Sequence, residues 1–281
     1  MRGRSWMLWL ALIVLPVMLL GANTVRNAAG TALTSDAPAV RLERLAPHWR
    51  MVPEGRGVAD AAGFVLSGCD GVHDNMEFWA GFFAERGRPT LILDSHGPRN
   101  LDTAELWRLV CAGQAMPGEE RAGDLAVTMA QSDRSDVVLL GASHGGWTLL
   151  EYVQLLVTGQ VPPGLEGWPA PPEALMSRIG RVVALYPYCG LLSSIDEGDW
   201  SAAPPILIVA SGQDEIVSTA SCVDLADRLR ERGARIEIEV LPGVGHGFDQ
   251  SERSALSPLA FDPAARKEAA ALVGAFVSNG G

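Results

Sequence analysis

The chain is short of basic residues, of histidine and of metal-binding patterns, and each scarcity closes off a class of function. Lys and Arg number 22 against 33 Asp and Glu, a formal charge of −11 over 281 residues. No basic stripe is available to neutralise phosphates, so nucleic acid is set aside as a partner. The five histidines and four cysteines form no CxxC pair and no cluster at ligand spacing, so no metal site is expected. No internal repeat is visible.

What is abundant is apolar sequence. Hydrophobic residues make up 48% of the chain, enough to fill a sizeable core. The first residues stand apart. "MRGRS" carries two arginines and no acid, and Trp6 to Ala22 carries no charge. A basic start, an apolar middle and a small, polar follow-on are the layout of an export signal. The alternative is a retained anchor, since such a helix spans roughly 25 Å, slightly less than a ~30 Å hydrocarbon core. A cut after Ala22 would place Leu20 where a small residue is preferred. Under either reading the remainder is exported, periplasmic or secreted if the segment is removed, membrane-attached if residues 6–22 stay.

Beyond Ala22, "NTVRNAAGTALTSDAP" has no apolar period and reads as a flexible tether over residues 23–39. From residue 40 onward, short apolar runs alternate with amphipathic segments. "AGFVLSG", "PTLILDS", "DVVLLGAS", "RVVALYP", "PPILIVAS" and "RIEIEV" are the runs; "HDNMEFWAGFFAERG", "EERAGDLAVTMAQ", "GGWTLLEYVQLLV", "STASCVDLADRLRERG" and "DPAARKEAAALVGAFVS" have helical spacing. This alternation predicts an α/β fold, a mostly parallel sheet covered by helices on both faces. One proline-rich stretch, Gly159 to Leu175, breaks the rhythm; it reads either as a cap over a site or as a rigid surface excursion.

Ser143 lies in "LLGASHGGWT", at the turn from strand to helix, two residues from Gly141 and two from Gly145. This is the position of the nucleophile elbow in α/β-hydrolases, where side chains at those two positions would collide with the tight turn. Such a serine needs an acid and then a base further along the chain. Of the histidines, only His246, in the glycine-rich "LPGVGHGFD", follows Ser143 with room for an acid between. Asp214, directly after the run "PPILIVAS", supplies the acid, with Glu215 as its rival. His144 reads as a first-turn helix residue, not as the base. Its backbone N–H and that of Cys69, in "SGCDG", are the expected oxyanion donors. Arg99, in "DSHGPRN", is expected at the mouth of the site as a contact for an anionic substrate group; the alternative is an arginine that only ties its loop to backbone carbonyls.

"SGCDG", "LDSHGPRN", "GASHGGW", "YPYCG", "GQDEIVSTASC" and "LPGVGHGFD" together resemble the dienelactone hydrolase family of the α/β-hydrolases, in its exported serine branch, from about Arg41 to the C-terminus. The resemblance implies Ser143, Asp214 and His246 as a triad that hydrolyses a small carboxylic ester without metal or organic cofactor. The sequence departs from the name-giving members, which have cysteine where Ser143 stands and glutamate where Gly68 stands. General ester hydrolysis is therefore expected, in a catalytic domain over residues 40–281. A peptidase or amidase on the same triad, and a binding protein that kept the fold without the chemistry, are the other readings. The four cysteines are expected to pair as Cys69–Cys111 and Cys189–Cys222, four free buried thiols being the alternative.

Overall fold

The structure, a computed structural model, describes residues 5–28, 35–195, 197–253, 257 and 259–278. Its centre is a seven-stranded sheet in the order β1-β3-β2-β4-β5-β6-β7. The strands are β1 (Arg50–Val52), β2 (Gly63–Leu66), β3 (Thr90–Leu93), β4 (Val137–Ala142), β5 (Ile179–Leu185), β6 (Ile206–Ser211) and β7 (Ile236–Leu241). Only β1 is antiparallel to its neighbour. Strands β2, β3, β4 and β6 are buried at every position, because both of their faces meet helices; their continuous apolar runs reflect this.

The helices are α1 (Ser5–Ala28), α2 (Pro38–Leu45), α3 (Asp74–Ala84), α4 (Thr103–Glu105), α5 (Gly118–Met129), α6 (His144–Thr158), α7 (Pro172–Met176), α8 (Thr219–Glu231) and α9 (Pro263–Ser278). One face of the sheet packs against α2, α5, α6 and α8, the other against α3 and α9. Helix α6 is apolar nearly all round and is buried from His144 to Leu156, as a helix at the centre of a layer must be. Helix α4 opens with a capping box between Asp102 and Glu105 and runs on into a π-helical turn, Leu106–Cys111. That turn and the strand β1 were not foreseen from sequence; both are too short to show a period.

The register places the functional loops. Leu66 of β2 pairs with Gly141 of β4, and Ala142 pairs with Leu185 of β5. The segments after β2, β4, β5, β6 and β7 therefore leave the sheet on one edge and face one another there.

The N-terminal part differs from the expected division. Helix α1 continues past Ala22 to Ala28, with its apolar residues exposed, and Trp9–Arg26 is apolar enough to cross a membrane by length and composition (mean hydropathy 1.7). Arg2 and Arg4 lie outside the described residues. At the far end of the expected tether, Asp36 already belongs to the folded body: it is buried, bridges Leu165 and accepts from Arg41 at 2.9 Å and Arg44 at 3.0 Å. Residues 29–34 lie outside the described residues. The proline-rich stretch 159–175 is the surface excursion, not the cap. Its Gly164 accepts from Asp36 N–H and from Arg41, and none of its residues lines the pocket at Ser143.

Candidate active site

Ser143 sits at φ 53°, ψ −114°, a backbone conformation that costs a non-glycine residue of order 1–3 kcal/mol. The surroundings hold it there. Its N–H donates to Leu185 O at 2.8 Å and its carbonyl starts α6 by accepting from Trp147 N at 3.0 Å. The two flanking glycines are required by contact. A Cβ on Gly141 would stand 2.3 Å from Gly145 O, and one on Gly145 would stand 2.3 Å from Leu66 O and 2.7 Å from Ser67 O. These are backbone atoms, which cannot rotate away. The close approach at Gly145 also brings the loop after β2 against the elbow.

His246 Nε2 lies 2.8 Å from Ser143 Oγ, and His246 Nδ1 lies 2.7 Å from Asp214 Oδ2. With Nδ1–H donated to the carboxylate, Nε2 is left to accept the serine proton. The Asp214 side chain is 1% exposed. Its other oxygen, Oδ1, accepts from Ile216 N at 2.9 Å and Val217 N at 2.8 Å, which fixes the carboxylate plane. Glu215, the rival acid, is exposed and turned towards Gly245. The loops carrying acid and base are tied together by Ser211 Oγ donating to Gly245 O at 2.9 Å and Gln213 N donating to Val244 O at 2.9 Å. Tyr186 packs edge-on against His246, ring centres 4.8 Å apart. Its hydroxyl donates to buried Asp249, which also accepts from Trp79 Nε1 at 2.7 Å. Burial pushes the Asp249 carboxyl up and the Tyr186 phenol well above its usual range, the latter helped by Asp249 itself.

His144 and Cys69 border the same pocket, and among the described residues neither backbone N–H has a backbone acceptor. The His144 ring is buried behind them, with Nε2 at 3.0 Å from Met116 O and Nδ1 at 3.2 Å from Arg121 Nη1. Burial first, and Arg121 second, hold this imidazole well below its usual pKa. Both ring nitrogens are thus occupied by Met116 and Arg121, and it is His246 that contacts Ser143 Oγ. Arg121 also donates to Ser67 O at 2.7 Å and to Ser67 Oγ at 3.1 Å. It thus fastens the loop before Cys69 to the first residue of α6. Sequence reasoning missed Arg121; the available signal was a charge on the apolar face of "EERAGDLAVTMAQ".

Arg99 is not at the site, and the expected substrate contact is corrected. Its guanidinium donates to Ser95 O at 2.5 Å, to Asp124 at 2.9 Å and to Glu120 at 2.8 Å, and it does not line the pocket. Two carboxylates presented by α5 outcompete solvent for it. Burial alone would push Asp124 up, but Arg99 and Arg41 outweigh that and hold it ionised.

Two disulfides are formed, Cys69–Cys111 and Cys189–Cys222, the same two pairs expected from the sequence. The first joins the loop after β2 to the π-helical turn that roofs the pocket. The pocket above Ser143 has a volume of about 240 Å³ and apolar walls, with Trp107, Val110, Trp147, Tyr188, Leu192 and Val217 among them. No group of three or more His, Cys, Asp or Glu among the described residues could hold a metal ion.

A mostly parallel sheet with this strand order and a serine on a strained strand-to-helix turn define the α/β-hydrolase fold. The profile described as "Dienelactone hydrolase family" matches residues 173–279 of the chain. Solved structures agree over most of the length. A metagenomic dienelactone hydrolase-like promiscuous phosphotriesterase, P91, is 20% identical, with 81% of this chain and 89% of that chain covered and a TM-score of 0.58. Apo esterase 2 of Thermogutta terrifontis is 18% identical, covering 82% and 88%, with a TM-score of 0.57. The same esterase phosphorylated by paraoxon gives 18%, 82%, 87% and 0.55. At these identities the likeness is one of fold. No curated protein matches the chain.

Proposed function

We propose that the protein is a serine hydrolase that cleaves carboxylic esters through an acyl-enzyme. The observation that carries the reading is the unbroken line from Asp214 through His246 to Ser143, with contacts of 2.7 and 2.8 Å. In this reading Ser143 Oγ attacks the ester carbonyl while His246 Nε2 takes its proton. Asp214 keeps the imidazole in the required tautomer and stabilises the imidazolium. The N–H groups of Cys69 and His144 receive the developing oxyanion. His246 then returns the proton to the departing alcohol, and a water activated in the same way releases the acid. The whole cycle runs on side chains and backbone of this chain. The dienelactone hydrolase-like fold, and a neighbour that is an esterase phosphorylated by paraoxon, support the choice of ester chemistry. The apolar helix α1 and the two disulfides are compatible with an exported protein.

A fluorophosphonate probe should label the wild-type chain covalently and leave Ser143→Ala unlabelled, with p-nitrophenyl butyrate turnover lost in parallel. Labelling that persists in Ser143→Ala would overturn the assignment.

A further inference from the structure

Resting on the ester-hydrolase reading, we propose that this pocket takes esters whose substituents are uncharged or cationic and rejects anionic ones, with Asp70 as the group that selects. Among the described residues that line the pocket there is no lysine and no arginine; Asp70 is the one carboxylate. Two nearby arginines are engaged elsewhere. Arg99 is held by Glu120 and Asp124. Arg121 is fully buried behind the loop, bonded to Ser67 and His144, with Asp124 and Asp94 offsetting its charge. Arg253 donates to the backbone oxygen of Leu259, a lining residue, but does not itself line the pocket.

The Asp70 carboxylate is close to the reacting centre because residue 68 has no side chain. Asp70 Oδ1 lies 3.1 Å from the point where a Cβ on Gly68 would stand, and that point is 3.8 Å from Ser143 Cβ. The carboxylate therefore stands no further from Ser143 Cβ than the sum of those two distances. Its outer oxygen, Oδ2, accepts from Gln250 Nε2 at 3.0 Å and faces His73 Nε2 at 3.3 Å. Those bonds outweigh burial and keep the carboxyl below its usual range, while the contact with Asp70 raises the His73 imidazole above its own, so the His73 charge offsets part of the field on the Oδ2 side. Oδ1, on the serine side, meets no side-chain donor among the described residues. Most of the rest of the wall is aromatic and aliphatic, with Asn75 and Gln250 as its amides. Trp107, Trp147 and Tyr188 offer ring surfaces that an alkyl group or an organic cation can cover, and no lysine or arginine lines the pocket to pair with a carboxylate. A substrate carboxylate held as close to Asp70 as Ser143 Cβ is, about 7 Å, would meet a repulsion worth roughly 50-fold at a surface-like dielectric.

The test uses isosteric pairs that differ only in charge, with spontaneous hydrolysis subtracted. The p-nitrophenyl monoester of glutaric acid is compared with its terminal amide. The ester of 4-(trimethylammonio)butyric acid is compared with that of 5,5-dimethylhexanoic acid. In wild type, kcat/KM for the carboxylate should fall roughly 50-fold below its amide, and the ammonium ester should equal or exceed its carbon isostere. Asp70→Asn should shrink the carboxylate-to-amide penalty about tenfold and reduce the ammonium ester relative to its isostere, each ratio being taken within the same variant so that any general change in activity cancels. Equal rates for carboxylate and amide in wild type would overturn the charge exclusion without reference to any variant. An unchanged penalty in folded Asp70→Asn would overturn the role of Asp70. Failure to hydrolyse even the uncharged esters would instead refute the ester-hydrolase reading on which the proposal rests.

Discussion

The two disulfides offer a way to separate stability from catalysis. In the chain-entropy model, opening the Cys69–Cys111 loop, with a sequence separation of 42, costs about 4 kcal/mol. Opening Cys189–Cys222, with a separation of 33, costs about the same. Each double alanine variant should therefore melt about 8–16 °C below wild type. Their consequences for the reaction should differ. The first bridge ties the loop that presents the Cys69 N–H to the roof of the pocket, so its loss frees the N–H proposed as an oxyanion donor. Removing such a donor outright costs 10²–10³ in kcat; letting it wander should cost at least tenfold, with KM little changed. The second bridge sits beside Tyr188, a wall of the pocket, so its loss should act mainly on KM. Steady-state kinetics with p-nitrophenyl butyrate, run at least 20 °C below each melting temperature, separates the two. If the Cys69→Ala/Cys111→Ala variant keeps wild-type kcat, or if both double variants lose kcat equally, the bridge does not preorganise the oxyanion site.

Two further outcomes follow from the site and its support. Asp214→Asn should lower kcat about 10⁴-fold by leaving His246 in the wrong tautomer, whereas Glu215→Gln should stay within about threefold of wild type; the reverse ranking in the same assay would move the acid by one residue. Glu151, buried beneath Trp147, accepts from its indole N–H at 2.6 Å and from Ser194 N at 3.0 Å, yet burial pushes its carboxyl up from 4.5 to about 7. A carboxyl that holds its proton more tightly folded than unfolded makes stability fall as pH rises from about 4.5 to about 7, by about 3 kcal/mol over that window. Urea unfolding at pH 5 and pH 8 should show this loss in wild type and a smaller one in Glu151→Gln; identical differences would exclude Glu151 as the cause.

Much of this molecule is determined locally, and that part is legible in the sequence. A strand buried on both faces must be apolar throughout and short, so β2, β3, β4 and β6 announce themselves. A tight elbow forbids side chains two residues to either side, so Gly141 and Gly145 mark Ser143. The chain order of serine, acid and histidine follows from which strand ends a parallel sheet brings to one edge, and the structure does bring Ser143, Asp214 and His246 together there. What only the tertiary structure decided is the partner each long or charged side chain takes. Arg99 leaves its loop at the right edge of the sheet, but Glu120 and Asp124, displayed by a helix some twenty residues further on, draw it away. Arg121 crosses from that helix to bind Ser67 and His144, and the Asp70 carboxylate occupies space that exists because Gly68 has no Cβ. The roof comes from a π-helical turn drawn in by Cys111, while the proline-rich stretch packs on Asp36 and Arg41 instead. Backbone periodicity is a property of neighbouring residues, whereas the choice of an ion-pair or packing partner compares groups far apart in the chain, and that comparison is made only once the chain has folded.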